Sequence, residues 1–252
     1  LVKQFDERFK FHLEQPYVSA EQYLQRLRIQ THERIAGRIR VYLDSRYWIF
    51  LRDAAAGRPK IAAHAEILQL ARNLVEAGKA VFPISAVSFV ELMGQPHADA
   101  RLNTARLIEE LSCKVALCDE SERIPTEIAH AFYKHGSSAE VRELSELVWV
   151  SVGAIFGPVY PCNPGLDERT SVAIQKAFLD TLWQAPLTSI INGDASTQEF
   201  PAPDFAGTAK RLTDGCRENA DDVRLGFKKT YLNEISGALD LYKKVGARIL
   251  VT

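Results

Sequence analysis

The hydrophobic positions of this chain follow two periods, one typical of strands and one typical of helices. Ile39, Val41 and Leu43 alternate with polar residues in RIRVYLD, which predicts a short strand over 38–44. Two further apolar runs, KAVFPIS and CKVALCD, predict a second and a third strand. Apolar residues at helical spacing lie between and after these runs, and predict helices over 45–56, 62–78, 98–112 and 126–134, with a short helix AVSFVELM after Ser85.

The predicted order over 39–134 is therefore β-α-α-β-α-α-β-α. Strands that alternate with helices favour a parallel sheet covered by helices. Before this region, Ser19 is a good N-cap for a helix that continues to Ile35. We therefore interpret residues 1–38 as a helical N-terminal extension.

The second half of the chain has a different pattern, in which helical segments follow one another without intervening strands. The final segment, GARILVT, predicts a late strand. We expect one α/β domain over 39–252, with a short parallel sheet flanked by helices and a large helical insertion at about 135–235. The helical segments of this half are 139–160, 168–184 and 208–244.

Composition and charge narrow the function classes. The chain has 252 residues with 31 basic and 32 acidic side chains, a balance that excludes a generally polycationic nucleic-acid binder but allows a local basic face. Its four cysteines form no C-x-x-C pair, so a structural zinc site is not expected. The longest uncharged stretch, 147–166, is broken by prolines, so we predict a cytoplasmic protein without a membrane span.

Three acidic residues follow the predicted strands. Asp44 ends the first strand, Asp119 ends the third, and Glu91 lies two turns into the helix after the second. Ligands of open parallel sheets bind at the carboxyl ends of the strands, and carboxylates there are suitable for Mg²⁺. The alternatives are structural: Asp44 and Asp119 are also good helix caps, and Glu91 alone fits a solvated helix face.

RVYLDSRYWIFL, followed by a helix and then VFPISAVSFVELM, resembles the opening of a PIN-like nuclease domain. In this resemblance Asp44 matches the first acid, Ser45 the small residue beside it, and Glu91 the second acid. Ser85 matches a hydroxyl residue that orients the site. The resemblance covers about 39–134 and implies a PIN-like fold with a Mg²⁺ or Mn²⁺ cofactor.

The same resemblance extends to the end of the chain. NEISGALDLYKKVGARILVT is similar to the late helix and strand of the family, where Asp240 and Glu234 are candidates for a third metal ligand, with Asp240 also catalytic. The fourth acid of the pattern would fall beyond Thr252. Basic and aromatic residues near the matched segments are expected to contact substrate: Arg46, Trp48, Lys228 and Lys229. Trp48 also fits the hydrophobic core.

The resemblance implies a metal-dependent endoribonuclease in a toxin or phage-defence setting, with RNA as substrate and an inhibitory or assembly protein as a further partner. Formation of a homo-oligomer stays open. The alternative is a catalytically inactive PIN-like module that binds RNA or protein. A phosphohydrolase with Asp44 as nucleophile ranks below both, because Arg46 stands where the Asp-x-Asp pattern needs its second acid.

Overall fold

The structure is a computed structural model that describes residues 2–95, 97–136, 142–161 and 164–191, together with Asp214 and Ser236. The chain divides into two compact units, one of Leu1–Arg123 with Arg142–Gln198 and one of Ile124–Val141 with Glu199–Thr252. All strands of the described residues belong to the first unit. The predicted helix over 208–244 and the predicted late strand GARILVT lie outside the described residues, apart from Asp214 and Ser236.

The described residues form a mixed α/β structure that is mostly helical. The elements, in chain order, are α1 (Val2–Leu13), α2 (Ala20–Ile35), β1 (Ile39–Arg40), α3 (Ser45–Ala55), α4 (Ala62–Glu76), β2 (Ala80–Val81), α5 (Ala86–Met93), α6 (Ala98–Ser112), β3 (Val115–Leu117), α7 (Glu120–Gly136), β4 (Trp149–Ser151), α8 (Glu168–Gln184) and α9 (Leu187–Ile191).

The predicted order of strands and helices from β1 to α7 is confirmed. The helix before it also begins where the sequence predicts. Ser19 caps α2: its Oγ accepts a hydrogen bond from the Gln22 backbone N–H at 3.2 Å, and the Gln22 side chain accepts one from the Ser19 backbone N–H at 3.1 Å. This reciprocal pair is a capping box, which satisfies two backbone donors that a helix start leaves open.

The parallel strands are shorter than predicted. β1 and β2 pair in parallel with Ile39 opposite Ala80 and Arg40 opposite Val81, and the Val41 N–H donates to the Val81 carbonyl at 3.0 Å. The next donor on the β2 side of this ladder would be residue 83, but Pro83 has no N–H. The ladder therefore stops there, and a parallel bridge between Ile84 and Ala116 connects the same segment to β3.

The prediction of a helix over 139–160 is wrong. This part of the insertion contains β4, which pairs antiparallel with β3 so that Leu117 lies opposite Trp149 and Val115 opposite Ser151. Trp149 and Val150 are buried, and Gly157 has a φ of 92° that a helix cannot contain. Burial against β3 stabilises an extended conformation here despite a helix-compatible pattern. β3 and β4 therefore form a second two-stranded sheet, antiparallel and separate from the parallel pair of β1 and β2, and this part of the insertion is not wholly helical.

The hydrophobic core lies between these short strands and the helices around them. Its largest members include Trp48 of α3, Ile108 and Leu111 of α6, and Leu92 of α5, each between 0 and 1% exposed. Because α3, α5 and α6 bury one face each in this cluster, they fix the loops at the carboxyl ends of β1 and β2.

Helix α8, which the sequence predicts with these same bounds, packs on α1 and α2 through a buried polar group. Asp180 accepts hydrogen bonds from His12 Nε2 at 2.8 Å and from the Tyr23 hydroxyl at 2.6 Å. We call these three residues the α8 cluster. Burial, with help from the neighbouring Asp180 carboxylate, raises the pKa of the Tyr23 hydroxyl well above its ordinary value.

Lys176, one turn before Asp180, is 1% exposed, and its Nζ donates to the Gln15 carbonyl at 2.7 Å. Burial, and secondarily the charge of Arg26, lowers the pKa of this amine. Polar side chains of α8 thus hold the N-terminal helices in place.

Within the described part of the chain, no helix has both the length and the apolar character that crossing a lipid bilayer requires.

Candidate functional site

Asp44 is the N-cap of α3 and lies beyond the carboxyl end of β1. Its Oδ1 accepts a hydrogen bond from the Arg46 backbone N–H at 2.9 Å and a longer one from the Ser45 hydroxyl at 3.5 Å. The side chain is exposed, and its Oδ2 has no hydrogen-bond partner among the described residues. Asp44 is therefore a helix cap whose second oxygen faces solvent and can bind a cation or a proton donor.

Ser85 occupies the corresponding place after β2. It is the N-cap of α5, and its Oγ accepts a hydrogen bond from the Ser88 backbone N–H at 3.3 Å. Because β1 and β2 are parallel neighbours, Asp44 and Ser85 follow the same ends of adjacent strands. This is the arrangement that the sequence predicts for two residues of one site.

Tyr42 connects the two strand ends, and sequence reasoning did not identify it. Its hydroxyl lies 2.9 Å from Ser85 Oγ and 2.6 Å from Ser88 Oγ. Tyr42 precedes Asp44 by two residues, so one side chain links the β1 end to the first turn of α5. The alternation in RIRVYLD predicts an outward-facing Tyr42, but no local pattern predicts its hydroxyl partners.

Glu91 lies on α5, one turn after Ser88. Its side chain is exposed and forms no ion pair or hydrogen bond within the described residues. Helices α3 and α5 pack against each other, so Asp44 and Glu91 are carried by neighbouring elements. We call Tyr42, Asp44, Ser85, Ser88 and Glu91 the strand-end site.

Asp119, after β3, has the capping role that the sequence favours. Its Oδ1 accepts hydrogen bonds from the Ser121 backbone N–H at 2.9 Å and from the Ser121 hydroxyl at 2.7 Å, at the start of α7. These hydrogen bonds lower the pKa of the Asp119 carboxyl below its ordinary value. Asp119 is therefore a helix cap that, like Asp44, uses Oδ1 for its cap hydrogen bonds, and it differs from Asp44 in lying after β3.

The remaining predicted residues, which include the substrate contacts and the further metal ligands, fall into three groups. Arg46 is exposed in the first turn of α3, beside Asp44, and is accessible to a ligand. Trp48 is 0% exposed in the core, which corrects the expectation that its side chain contacts substrate: packing against the core takes its whole surface. Four further predicted residues lie outside the described residues: the ligand candidates Glu234 and Asp240, and the basic residues Lys228 and Lys229.

A cleft of the described surface lies on another side of α3. A cleft of ≈ 450 Å³ runs between α3 and α6 and is lined by Arg52, Asp53, Arg58, His97 and Asn103, among others. Arg52 of this cleft is paired with Asp53 at 2.6 Å. Neither Asp44 nor Glu91 lines this cleft.

Within the described ranges, no group of three or more His, Cys, Asp and Glu side chains is placed to hold a metal ion. The strand-end site itself contributes two acids from that part of the chain, Asp44 and Glu91. Comparisons of the chain with known protein families, with curated proteins and with solved structures found no match.

Proposed function

We propose that this protein is a metal-dependent endoribonuclease of PIN-like type, with Asp44 and Glu91 as its acidic residues. The observation that carries the proposal is the pairing of β1 with β2, which puts Asp44 and Ser85 at the same ends of adjacent parallel strands. The Tyr42 hydroxyl contacts Ser85 Oγ and Ser88 Oγ and so holds the strand ends together. Asp44 and Glu91 are both exposed, as a site for a polymeric substrate needs.

The donor set is suitable for a hard divalent cation. Mg²⁺ and Mn²⁺ prefer carboxylate oxygens and keep several water molecules, and Asp44 Oδ2 and the Glu91 carboxylate have no other partners in the described residues. Asp44 and Glu91 would hold the ion, with Asp240 or Glu234 as a third ligand. Such an ion supplies Lewis-acid activation of a water molecule and neutralises charge on the scissile phosphate.

The residues around Asp44 and Glu91 orient these two acids or extend the site toward a substrate. Ser45 donates to the Asp44 oxygen that the helix cap already uses, which directs the other oxygen outward. Tyr42 and Ser85 fix the start of α5, the helix that carries Glu91. Arg46 is exposed two residues after Asp44 and can pair with a substrate phosphate.

The test is cleavage of end-labelled RNA in Mn²⁺ by the wild type and by Asp44→Asn. Asparagine is as good an N-cap as aspartate, so α3 is retained while a charged ligand is lost. We expect the variant to lose activity by about 100-fold or more. Asp99→Asn, which makes the same change at an exposed residue in the first turn of α6, serves as the matched control and should cleave as the wild type does.

Equal cleavage by the wild type and Asp44→Asn would contradict the proposal, as would the absence of Mn²⁺-dependent cleavage in the wild type. A parallel Glu91→Gln variant separates a two-acid site from one that depends on Asp44 alone. If Asp44→Asn is inactive and Glu91→Gln is fully active, Glu91 belongs to the solvated face of α5.

The second candidate is a PIN-like module that binds RNA or protein without cleaving it. The observation in its favour is that Asp44 and Glu91 have no third acid beside them among the described residues. RNA binding that is the same with Mn²⁺ and with EDTA, and without cleavage, would favour this candidate.

A further inference from the structure

Phe50 of α3 is surrounded by two other rings and two cationic side chains, on the side of α3 that packs against α4. His64 of α4 stacks on it with a centroid distance of 4.5 Å and an interplanar angle of 13°. Tyr47, one turn before Phe50 on α3, meets it at 6.3 Å and 88°. Tyr47 is 56% exposed, so this group of rings reaches the surface.

Two cationic side chains lie over the same ring. Arg46 Cζ is 5.2 Å and Lys60 Nζ is 5.8 Å from the Phe50 centroid. Both side chains are exposed, and neither forms an ion pair with any described residue. A cation held against an aromatic ring keeps its charge and its N–H donors, so Arg46 and Lys60 are oriented but not neutralised.

We propose that Arg46, Tyr47, Phe50, Lys60 and His64, together the α3–α4 surface, bind single-stranded RNA beside the strand-end site. Bases stack on exposed aromatic rings in a sequence-tolerant way, while cations track the phosphates. Stacking requires unpaired bases, since the bases of a duplex already stack on each other, so the occupant is a single strand.

The position of the surface supports RNA in particular. It begins at Arg46, two residues after Asp44, so a strand bound there runs directly from the acidic edge. The identity of the ligand as RNA rests on the proposed function, whereas the cationic and aromatic character of the surface does not. The charge complementarity is local, because Arg46 and Lys60 have no ion-pair partner among the described residues of a chain whose overall charge is −1.

The test is fluorescence anisotropy with a labelled single-stranded RNA of about 12 nucleotides, measured in EDTA with Asp44→Asn as the background so that no cleavage occurs. Tyr47→Ala should weaken binding about 10-fold, and Tyr47→Phe should restore it because the ring is retained. The double variant Arg46→Ala, Lys60→Ala should lower the slope of log Kd against log salt by about 1.4, for two phosphates of a single strand.

Matched controls are available in the same unit. Tyr17→Ala removes a tyrosine that is 96% exposed, and Lys79→Ala removes an exposed cation at the opposite ends of the same strands. Both should bind RNA as the background protein does, and circular dichroism checks that every variant is folded.

Three results would overturn the inference: unchanged affinity in Tyr47→Ala, an unchanged salt slope in the double variant, or duplex RNA bound as tightly as the single strand. The proposed function fails separately. If the α3–α4 variants lose binding but the wild type never cleaves RNA, the surface stands and the nuclease does not. If the wild type cleaves RNA and the variants bind normally, only this inference is lost.

Discussion

The strand-end site and the α8 cluster use similar residues in opposite ways. Each combines an aspartate with a tyrosine hydroxyl. In the α8 cluster Asp180 is 15% exposed and both its oxygens are occupied, by His12 and by Tyr23. In the strand-end site Asp44 is exposed, Oδ2 has no partner among the described residues, and Tyr42 contacts serines instead of the acid.

The difference shows that the number of hydrogen bonds a carboxylate already accepts distinguishes a stabilising role from a binding role. A partly buried carboxylate whose two oxygens each accept a hydrogen bond contributes to folding, and removing it leaves His12 and Tyr23 without those partners. An exposed carboxylate that caps a helix with one oxygen keeps its second oxygen available to a ligand. We therefore expect mutations near α8 to change stability and mutations at the strand ends to change binding or activity.

Gly153→Ala gives the largest expected effect on stability. A Cβ at Gly153 would lie 2.0 Å from the Leu182 carbonyl oxygen near the end of α8, and backbone atoms cannot move aside as a flexible side chain can. We expect the free energy of unfolding to fall by about 3 kcal/mol, measured by urea denaturation.

A matched control for this change is Gly37→Ala, where a new Cβ has nothing within 4 Å but φ is +76°. That variant tests backbone strain without a clash, and should cost about 1 kcal/mol. Equal losses at Gly153 and Gly37 would show that the close approach of α8 is not the cause.

Asp180→Asn should lower the free energy of unfolding by about 2 kcal/mol, because two charge-assisted hydrogen bonds, from His12 and Tyr23, become weaker neutral ones. The same change at Asp44 should cost less than about 0.5 kcal/mol, since asparagine also caps a helix. Chemical denaturation of both variants measures the contrast. If Asp44→Asn is the more destabilised of the two, the assignment of a binding role to Asp44 loses its basis.

Local signals in the sequence account for much of the fold. A cap and helix-forming residues predict α2 after Ser19, and the helical segment 168–184 predicts α8. The structure adds the cap of α8, Asp167, whose Oδ1 accepts from the Thr170 N–H at 2.9 Å. Strand and helix alternation predicts the order from β1 to α7. These features depend on residues within a few positions of each other, which is why a single sequence contains them.

Features that depend on distant partners could not be predicted in the same way. β4 exists because Trp149 and Val150 pair with β3, more than 30 residues earlier. Lys176 appears as a surface residue in the helical pattern, but α1 and the following loop cover it. The site shows the same division: strand ends predict Asp44 and Ser85, whereas the Tyr42 contact with Ser88 spans 46 residues.

Tyr23→Phe isolates one hydrogen bond of the α8 cluster while it keeps the ring. Loss of the 2.6 Å contact with Asp180 should cost about 1 kcal/mol near neutral pH. The folded-state pKa of Tyr23 is raised above its ordinary value of 10.0, so its contribution is present in full below that pH and is lost as the pH rises toward the folded-state pKa.

Wild-type stability should therefore decline above about pH 10 more steeply than that of Tyr23→Phe, as urea titrations at about pH 9 and pH 11 would measure. Parallel curves for the two proteins would contradict a raised pKa at Tyr23. They would also show that the Tyr23 hydroxyl does not help to hold α8 against the N-terminal helices.

Tyr42→Phe makes the same chemical change at the strand-end site and has the smallest expected effect. The Tyr42 side chain is 54% exposed, so water can replace part of what the hydroxyl provides, and Ser85 Oγ still caps α5 through the Ser88 N–H. The expected loss is about 0.5 kcal/mol or less in the free energy of unfolding, measured in urea beside Tyr23→Phe. If Tyr42→Phe costs as much as Tyr23→Phe, the hydroxyl group at the strand ends is itself a folding element, and the contrast between an open site and a satisfied cluster does not hold.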